Sequence, residues 1–430
     1  MPTVAKESNT YRKLTSLLRR DFDFDSADSG YSSHGIHPFA AKFPPQIPRV
    51  FIEELTESGD SVLDPMAGSG TTVVEALMLR REAFGFDIDP LAVRLCRVKT
   101  TWLDPQMLEK VGLEIIQRAQ EQLRSPSTLR RELSVRFDDA TRKFLDYWFL
   151  PDTQIQLLSL IIAIDQTTES TARDFFELVF SSCIIAKTGG VSLARDLAHS
   201  RPHRDLSKKP RNAIAEFTLR LGKVLRKFQN LPQRVKRVFV NQRDARELPL
   251  PTSSIDLIVT SPPYANAIDY MRAHKFSLVW LGHKLEALSE LRGRYIGSER
   301  IGNDYNETLP VLADAAVSSL HRKDPVKAKV LRKYLVEMRG VISEMSRVLK
   351  PAKAAVIVVG PSFMRGLAVT THEYLASIGE EFRFRIAGIQ KRKIDRDRRM
   401  LPVSFGRNGD SGIEQRMHEE FVVGLVKETA

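Results

Sequence analysis

SVLDPMAGSGTT, residues 61–72, is the stretch on which the fold turns. It opens as a short buried strand, is closed by an aspartate, and passes through the tight turn Gly68-Ser69-Gly70 into TTVVEALMLRR, whose apolar positions recur at helical spacing. Ala83 to Phe86 reads as a second buried strand and runs into Asp-Ile-Asp, so residues 61–87 make one βαβ unit. Ile255 to Thr260, running into Ser261-Pro262-Pro263-Tyr264, is a third strand of the same kind. Short strands that are apolar throughout and end in polar or turn-forming clusters belong to an open, mostly parallel sheet whose function sits at the carboxyl ends.

Working outward, the next strand, Val235 to Val240, arrives roughly 150 residues after the second, whereas a crossover needs about a dozen. The intervening chain is helical in pattern at 108–123, 154–165, 173–186 and 213–228, which predicts a helical insert over residues 104–234. Helices are expected again at 273–291, 331–349 and 370–381, with strands at 354–360, 382–390 and 420–426, the last two as an antiparallel pair. The expected fold is α/β: a doubly wound, mostly parallel, seven-stranded sheet. Its main domain is split into residues 1–103 and 235–430, with target recognition assigned to the insert.

Composition narrows the function classes. The 430 residues are 42% hydrophobic and 27% charged, the balance of a soluble globular chain. The longest apolar stretches, 157–164 and 175–186, fall short of the roughly 18 residues a membrane helix needs, and the N-terminus has no apolar signal core. A cytoplasmic protein without a membrane association is expected. Cys96 and Cys183 are the only cysteines and have no CxxC spacing, so neither a disulfide framework nor a cysteine metal site is indicated. Nine histidines show no ligand spacing either, and no metal is expected; His34, His37 and His274 read as structural or nucleic-acid-contacting. The net charge of +12 favours a polyanionic partner. Two basic stretches are candidate contacts: Lys187 to Arg211, with Arg195, Arg201 and Arg204, and the segment opening KRKIDRDRR, with Lys391, Arg392 and Lys393.

The glycine turn is not a Walker loop, since Thr71 follows Gly70 where a lysine would reach a β/γ-phosphate. The third glycine of a dinucleotide fingerprint is replaced by Val73. What remains is an acid at the end of one strand, a Gly-Ser-Gly turn at a helix start, and acids at the end of the next strand. That order suits S-adenosylmethionine. Pro65, Met66, Gly68, Ser69 and Gly70 form the close-approach turn, and the amides of Thr71 and Thr72 face the methionine carboxylate. Asp64 is expected to accept from the cationic amino end, Asp87 from the ribose hydroxyls with Asp89 beside it, and Asp244 from the adenine amine. Taken singly, each glycine is an ordinary turn residue and each aspartate an ordinary helix cap.

The two prolines of Ser261-Pro262-Pro263-Tyr264 stiffen the loop and remove two N–H donors. The Ser261 hydroxyl and the Pro262 carbonyl are then placed to accept the hydrogens of an exocyclic base amine, turning its delocalised lone pair towards an electrophile. Tyr264 would stack on a base flipped from a duplex.

DPMAGSGTT followed by GFDIDP, RDARELP and TSPPY resembles the S-adenosylmethionine-dependent DNA amino-methyltransferases, which methylate cytosine N4 or adenine N6. The resemblance implies a class I methyltransferase fold and double-stranded DNA as substrate. It further implies a restriction–modification role with a cognate endonuclease, or that of a solitary methylase. HGIHPFAAKFPPQIPRVFIEEL, residues 34–55, is similar to the family's segment over the methionine moiety, with Lys42, Phe43 and Pro44 nearest the ligand. Serine before PPY resembles the cytosine N4 enzymes, with adenine N6 as the alternative. RNA amine methylation and a non-catalytic nucleic-acid binder are the other readings. Met66 departs from the family, which usually has an aromatic there, and leaves cofactor affinity more open than cofactor identity.

Overall fold

The computed structural model describes residues 8–25, 27–39, 42–186, 189–195, 197, 202–228, 237–265, 269–300, 305–394 and 418–429. The strands in chain order are β1 (Ser61–Asp64), β2 (Glu82–Asp87), β3 (Ala194–Arg195), β4 (His203–Arg204), β5 (Val238–Gln242), β6 (Ile255–Thr260), β7 (Leu349–Val359), β8 (Ser362–Met364), β9 (Leu367–Val369), β10 (Phe384–Lys393) and β11 (Glu419–Lys427). Seven of them form one sheet in the order β10-β11-β7-β6-β1-β2-β5, while β3-β4 and β8-β9 are two-stranded ribbons. The β5-β2-β1-β6-β7 run is parallel, and β11 pairs antiparallel with both β7 and β10. The strand order reverses between β1 and β6, so the crevice beyond their carboxyl ends is where such a sheet takes a ligand. The glycine turn leaves β1 and the Ser261–Tyr264 loop leaves β6, so both motifs open onto that crevice.

Alternation along the strands explains the layers. Val62, Leu257, Val259, Val356, Val358 and Val422 pack on one face with α1 (Asn9–Leu17), α2 (Gln46–Leu55) and α3 (Thr71–Met78). Leu63, Ile258, Ala355, Ile357 and Val423 pack on the other with α13 (Val311–His321), α14 (Pro325–Val348) and α15 (Thr371–Glu381). Neighbouring residues of a strand point to opposite faces, so a sheet covered on both sides needs the unbroken apolar runs seen here.

The insert begins after α4 (Pro90–Thr100) and comprises α5 (Pro105–Gln122), α6 (Pro126–Arg136), α7 (Asp139–Trp148), α8 (Pro151–Asp165), α9 (Ser170–Ile184) and α10 (Ala213–Phe228). It does not keep a core to itself. Its apolar residues merge with Leu91, Leu95 and Val98 of α4 and with α11 (Met271–Leu278), the helix after the Ser261–Tyr264 loop. Phe276 lies 5.1 Å from Phe144 and 4.8 Å from Trp148, ring centre to ring centre, and the fully buried Trp280 meets Phe137 and Phe149 edge-on. The long helix expected over 273–291 is two pieces, α11 and α12 (Leu285–Arg294), with Gly282 at φ +90° between them. Helices α1, α2, α4, α6, α7 and α13 were not anticipated; α6 and α13 leave much of their surface in water, which blurs their period. Among the described residues no single helix is long and apolar enough to cross a membrane.

Candidate active site

A cleft of about 1340 Å3, including its open mouth, lies beyond the carboxyl ends of β1, β2 and β6. Pro65 to Ser69 and Thr71 form one wall, with Asp87 and Asp89 beyond them; Phe39, Lys42 and Phe43 close one end, and Ser261 and Pro263 face in from β6. The structure thus brings together two motifs almost 200 residues apart in the chain. Asp244 also lines the cleft.

The turn is held tightly from behind. Gly70 has φ +77°, and a Cβ there would stand 2.7 Å from Cys96 Sγ and 3.2 Å from its Cα, so only glycine fits both the dihedral and the space. The buried Lys99 donates from Nζ to the Ser69 carbonyl at 2.7 Å. Burial and neighbouring cations push the Lys99 ammonium well below the usual lysine range. In sequence this lysine stands in a helix that also carries Arg94 and Arg97, so nothing there marks it as the buried one. The start of α3 carries no side-chain cap, which leaves its first N–H groups for a ligand.

Asp87 is the acid presented to the cleft. Its Oδ2 accepts from the Gly68 amide at 2.8 Å and its Oδ1 from the Asp89 amide at 2.9 Å. Burial first, and the nearby Asp89 carboxylate second, push its pKa up to about 7. Asp89 is spent within the protein: Oδ1 caps α4 at the amide of Leu91 (2.8 Å), and Oδ2 lies 2.5 Å from His274 Nδ1. Burial opposes ionisation of Asp89, yet His274 holds its pKa below the usual carboxylate value.

Several expected residues stand elsewhere. Asp64 is 1% exposed and lies behind the wall, not on it: its Oδ1 accepts from the Thr260 hydroxyl at 2.7 Å and the Met66 amide at 3.2 Å. Its burial raises the pKa to about 6. A residue so enclosed ties the ends of β1 and β6 together and is not part of the cleft's lining. Thr72 is likewise buried, its hydroxyl on the Val259 carbonyl at 3.1 Å. Pro44, Gly70, Pro262 and Tyr264 are not among the lining residues, although each adjoins one that is. Asp244 reaches the cleft but is held by Arg246 through two contacts, at 2.8 and 2.6 Å, which leaves it less basic than a free acceptor. Lys42 donates to the His34 carbonyl at 2.9 Å.

The basic stretches divide. Arg195 and Arg204 are exposed on the β3-β4 ribbon; Arg195 pairs with Asp205 at 2.5 Å, and Arg204 lies 4.3 Å from the centre of the Tyr147 ring. Lys391 and Lys393 are exposed on β10. Arg392 is not a surface contact: it is 4% exposed and bound to Glu420. Strand alternation turns it inward while its neighbours face out. Arg201 and the residues 395–417 lie outside the described residues. His34, His37 and His274 are buried and bonded to Glu75, Ser181 and Asp89 respectively, as structural histidines.

The opposite wall of the cleft comprises Asp269, Tyr270, Arg272 and residues 294–299, with Arg243 at the rim. Tyr270 and Arg272, a few residues downstream of the proline loop and readable from that place as candidates to line a target pocket, both line the cleft. Phe39 stacks on Tyr270 with centres 5.5 Å apart, joining the N-terminal segment to this wall. Residues 294–299 carry no motif of their own, and only the fold brings them here.

Comparison with known proteins agrees with this geometry. Residues 8–97, which hold the glycine turn and both strand-end acids, match the family model described as DNA methylase. The matched segment, and with it the glycine-turn side of the cleft, is similar to that family. The chain is similar to Type II methyltransferase M.MvaI of Kocuria varians, 25% identical over 376 residues that cover 81% of each chain. Type II methyltransferase M.BsoBI of Geobacillus stearothermophilus is 24% identical over 314 residues, 67% of this chain and 59% of that protein. M.MjaII of Methanocaldococcus jannaschii, another Type II methyltransferase, is 36% identical over 88 residues, 20% of this chain and 17% of that protein. The residues present fit S-adenosylmethionine. The uncapped start of α3 would hold the carboxylate, Asp87 would accept from the ribose hydroxyls, and Phe39, Phe43 and Met66 would supply apolar contact.

Proposed function

We propose that the protein methylates an exocyclic base amine in double-stranded DNA, with N4 of cytosine as the target, as the modification half of a restriction–modification system or as a solitary methylase. The observation that carries this reading is that Ser261 and Pro263 line the same cleft as the glycine turn and Asp87. An amine held by the loop therefore lies beside the place where the cofactor's methyl group would be. The relatives named as Type II methyltransferases support DNA as the substrate. Serine at position 261, in place of an acid, supports cytosine over adenine.

S-adenosylmethionine supplies an electrophilic methyl group on a sulfonium. The α3 amides and Asp87 would hold it, while Lys99 and Cys96 keep the turn in shape. Ser261 accepts one hydrogen of the target amine and the Pro262 carbonyl the other, so the nitrogen lone pair is directed into the cleft. The proton shed on methylation leaves through the same hydrogen bonds to water.

The test is to incubate the protein and labelled cofactor with unmethylated genomic DNA and, separately, total RNA, then identify the labelled nucleoside by mass spectrometry. N4-methylcytosine from DNA is the expected product. N6-methyladenine would overturn the base, label in RNA alone would overturn the substrate, and cofactor binding without any transfer would overturn catalysis.

A further inference from the structure

Tyr264 belongs to the proline loop but is fixed by parts of the sheet far from it in sequence. Its hydroxyl donates to Glu420 Oε1 at 2.6 Å. Glu420 on β11 stands directly across the antiparallel ladder from Arg392 on β10, and Arg392 Nη1 binds Glu420 Oε2. Arg392 Nε donates to the Phe22 carbonyl at 2.9 Å and Nη2 to the Asp23 carbonyl at 3.4 Å, so the guanidinium is itself tied to the N-terminal segment. On the other side the tyrosine ring lies against Gly360, which follows β7. A Cβ there would come within 2.6 Å of Tyr264 Cε2 and 2.9 Å of Cδ2. The ring therefore has one edge against backbone and its hydroxyl anchored, while remaining partly exposed.

A buried ion pair is a poor source of stability, because an apolar pair of similar volume does as well. What an apolar pair would not supply is an acceptor for the Tyr264 hydroxyl. We propose that Glu420, held by Arg392, is a positioning residue that locks the Tyr264 ring in place for stacking against the base entering the cleft. This rests on the amine-methylation reading above. A ring already fixed loses little freedom when a base stacks on it, so the ordering cost is met during folding and not during each turnover. The Arg392–Glu420 pair also explains why one arginine of a basic stretch turns inward.

The lock is tested with the full chain by single-turnover methyl transfer to unmethylated DNA. Tyr264→Phe removes only the hydroxyl and leaves the ion pair intact; it should slow transfer about tenfold, the worth of one hydrogen bond to a charged group. Cofactor affinity should stay unchanged. Glu420→Gln keeps an acceptor and should retain the rate within about threefold, whereas Glu420→Ala should match Tyr264→Phe or fall below it. The double variant Tyr264→Phe/Glu420→Ala should be no slower than Glu420→Ala alone, since both remove one contact. Should Glu420→Ala not fold, the contrast of Tyr264→Phe with Glu420→Gln carries the test. A Tyr264→Phe rate equal to wild type, or effects of the two substitutions that multiply, would overturn the lock. A wild type that transfers no methyl to any nucleic acid overturns the reading of the site itself, an outcome visible before any variant is made.

Discussion

The two walls of the cleft differ in origin. One is built from residues 65–92, a single βαβ unit whose turn, helix start and strand-end acid are neighbours in sequence. The other is built from residues within 269–299 and closed by Phe39, Lys42 and Phe43, segments joined by packing such as Phe39 on Tyr270. The local wall fixes a cofactor of one chemistry. The assembled wall rests on α11, whose Phe276 packs on the insert helices, as does Trp280 just beyond it. Adjacent residues can encode a fixed turn, while the second wall is composed from residues distant in sequence.

Substitutions can break or sharpen this contrast. The largest effect is expected at the junction of the walls. Ser261→Ala should lower the single-turnover rate on the order of a hundredfold, as loss of a pre-organised polar contact does, with cofactor affinity intact. In the local wall, Asp87→Ala should weaken cofactor binding by about ten- to a hundredfold by calorimetry, the worth of hydrogen bonds to a charged group. Asp64→Ala should leave the Thr260 hydroxyl and Met66 amide without a partner. It should cost stability, about 1–3 kcal/mol in a denaturant titration, more than direct ligand contact. Equal affinity losses at the two positions would show that Asp64 meets the ligand after all.

Proton linkage gives a further separation. Asp87 at about 7 and Asp64 at about 6 stand above the roughly 3.9 of an unfolded aspartate. The folded state therefore holds more protons than the unfolded one across the interval between. These groups contribute their stabilisation fully below about pH 4 and lose it as pH rises through 6 and 7. Cofactor affinity should move the opposite way and rise through about pH 7, because the ribose hydroxyls need the charged Asp87. In Asp87→Asn that rise should flatten. The smallest effect is expected on the insert ribbon: Arg195→Gln should lower DNA affinity slightly and reduce the salt dependence by about one unit of slope if the ribbon touches a phosphate. An unchanged slope would remove it from the interface.

The comparison also bears on how much was legible. The parallel strands, the antiparallel final pair and the turn were readable because each is signalled within about a dozen residues, by apolar runs, by period and by glycine. The division of labour among Asp64, Asp87, Asp89 and Asp244 was not. All four close strands or open turns in the same way, and a one-dimensional string does not say which faces a cavity. Arg392 failed for a related reason, since strand alternation reversed what its basic neighbours suggested.

By itself the sequence determined the fold class and the two motifs that meet at its crevice. Strand period and turn chemistry are properties of short segments. Only the tertiary structure decided that Asp87 faces the cleft while Asp64 lies behind it, that residues 294–299 form a wall, and that Glu420 holds Tyr264. Those facts depend on which distant side chains are brought within a few ångströms of one another, and the burial and neighbouring charge that set their roles exist only once the chain has packed.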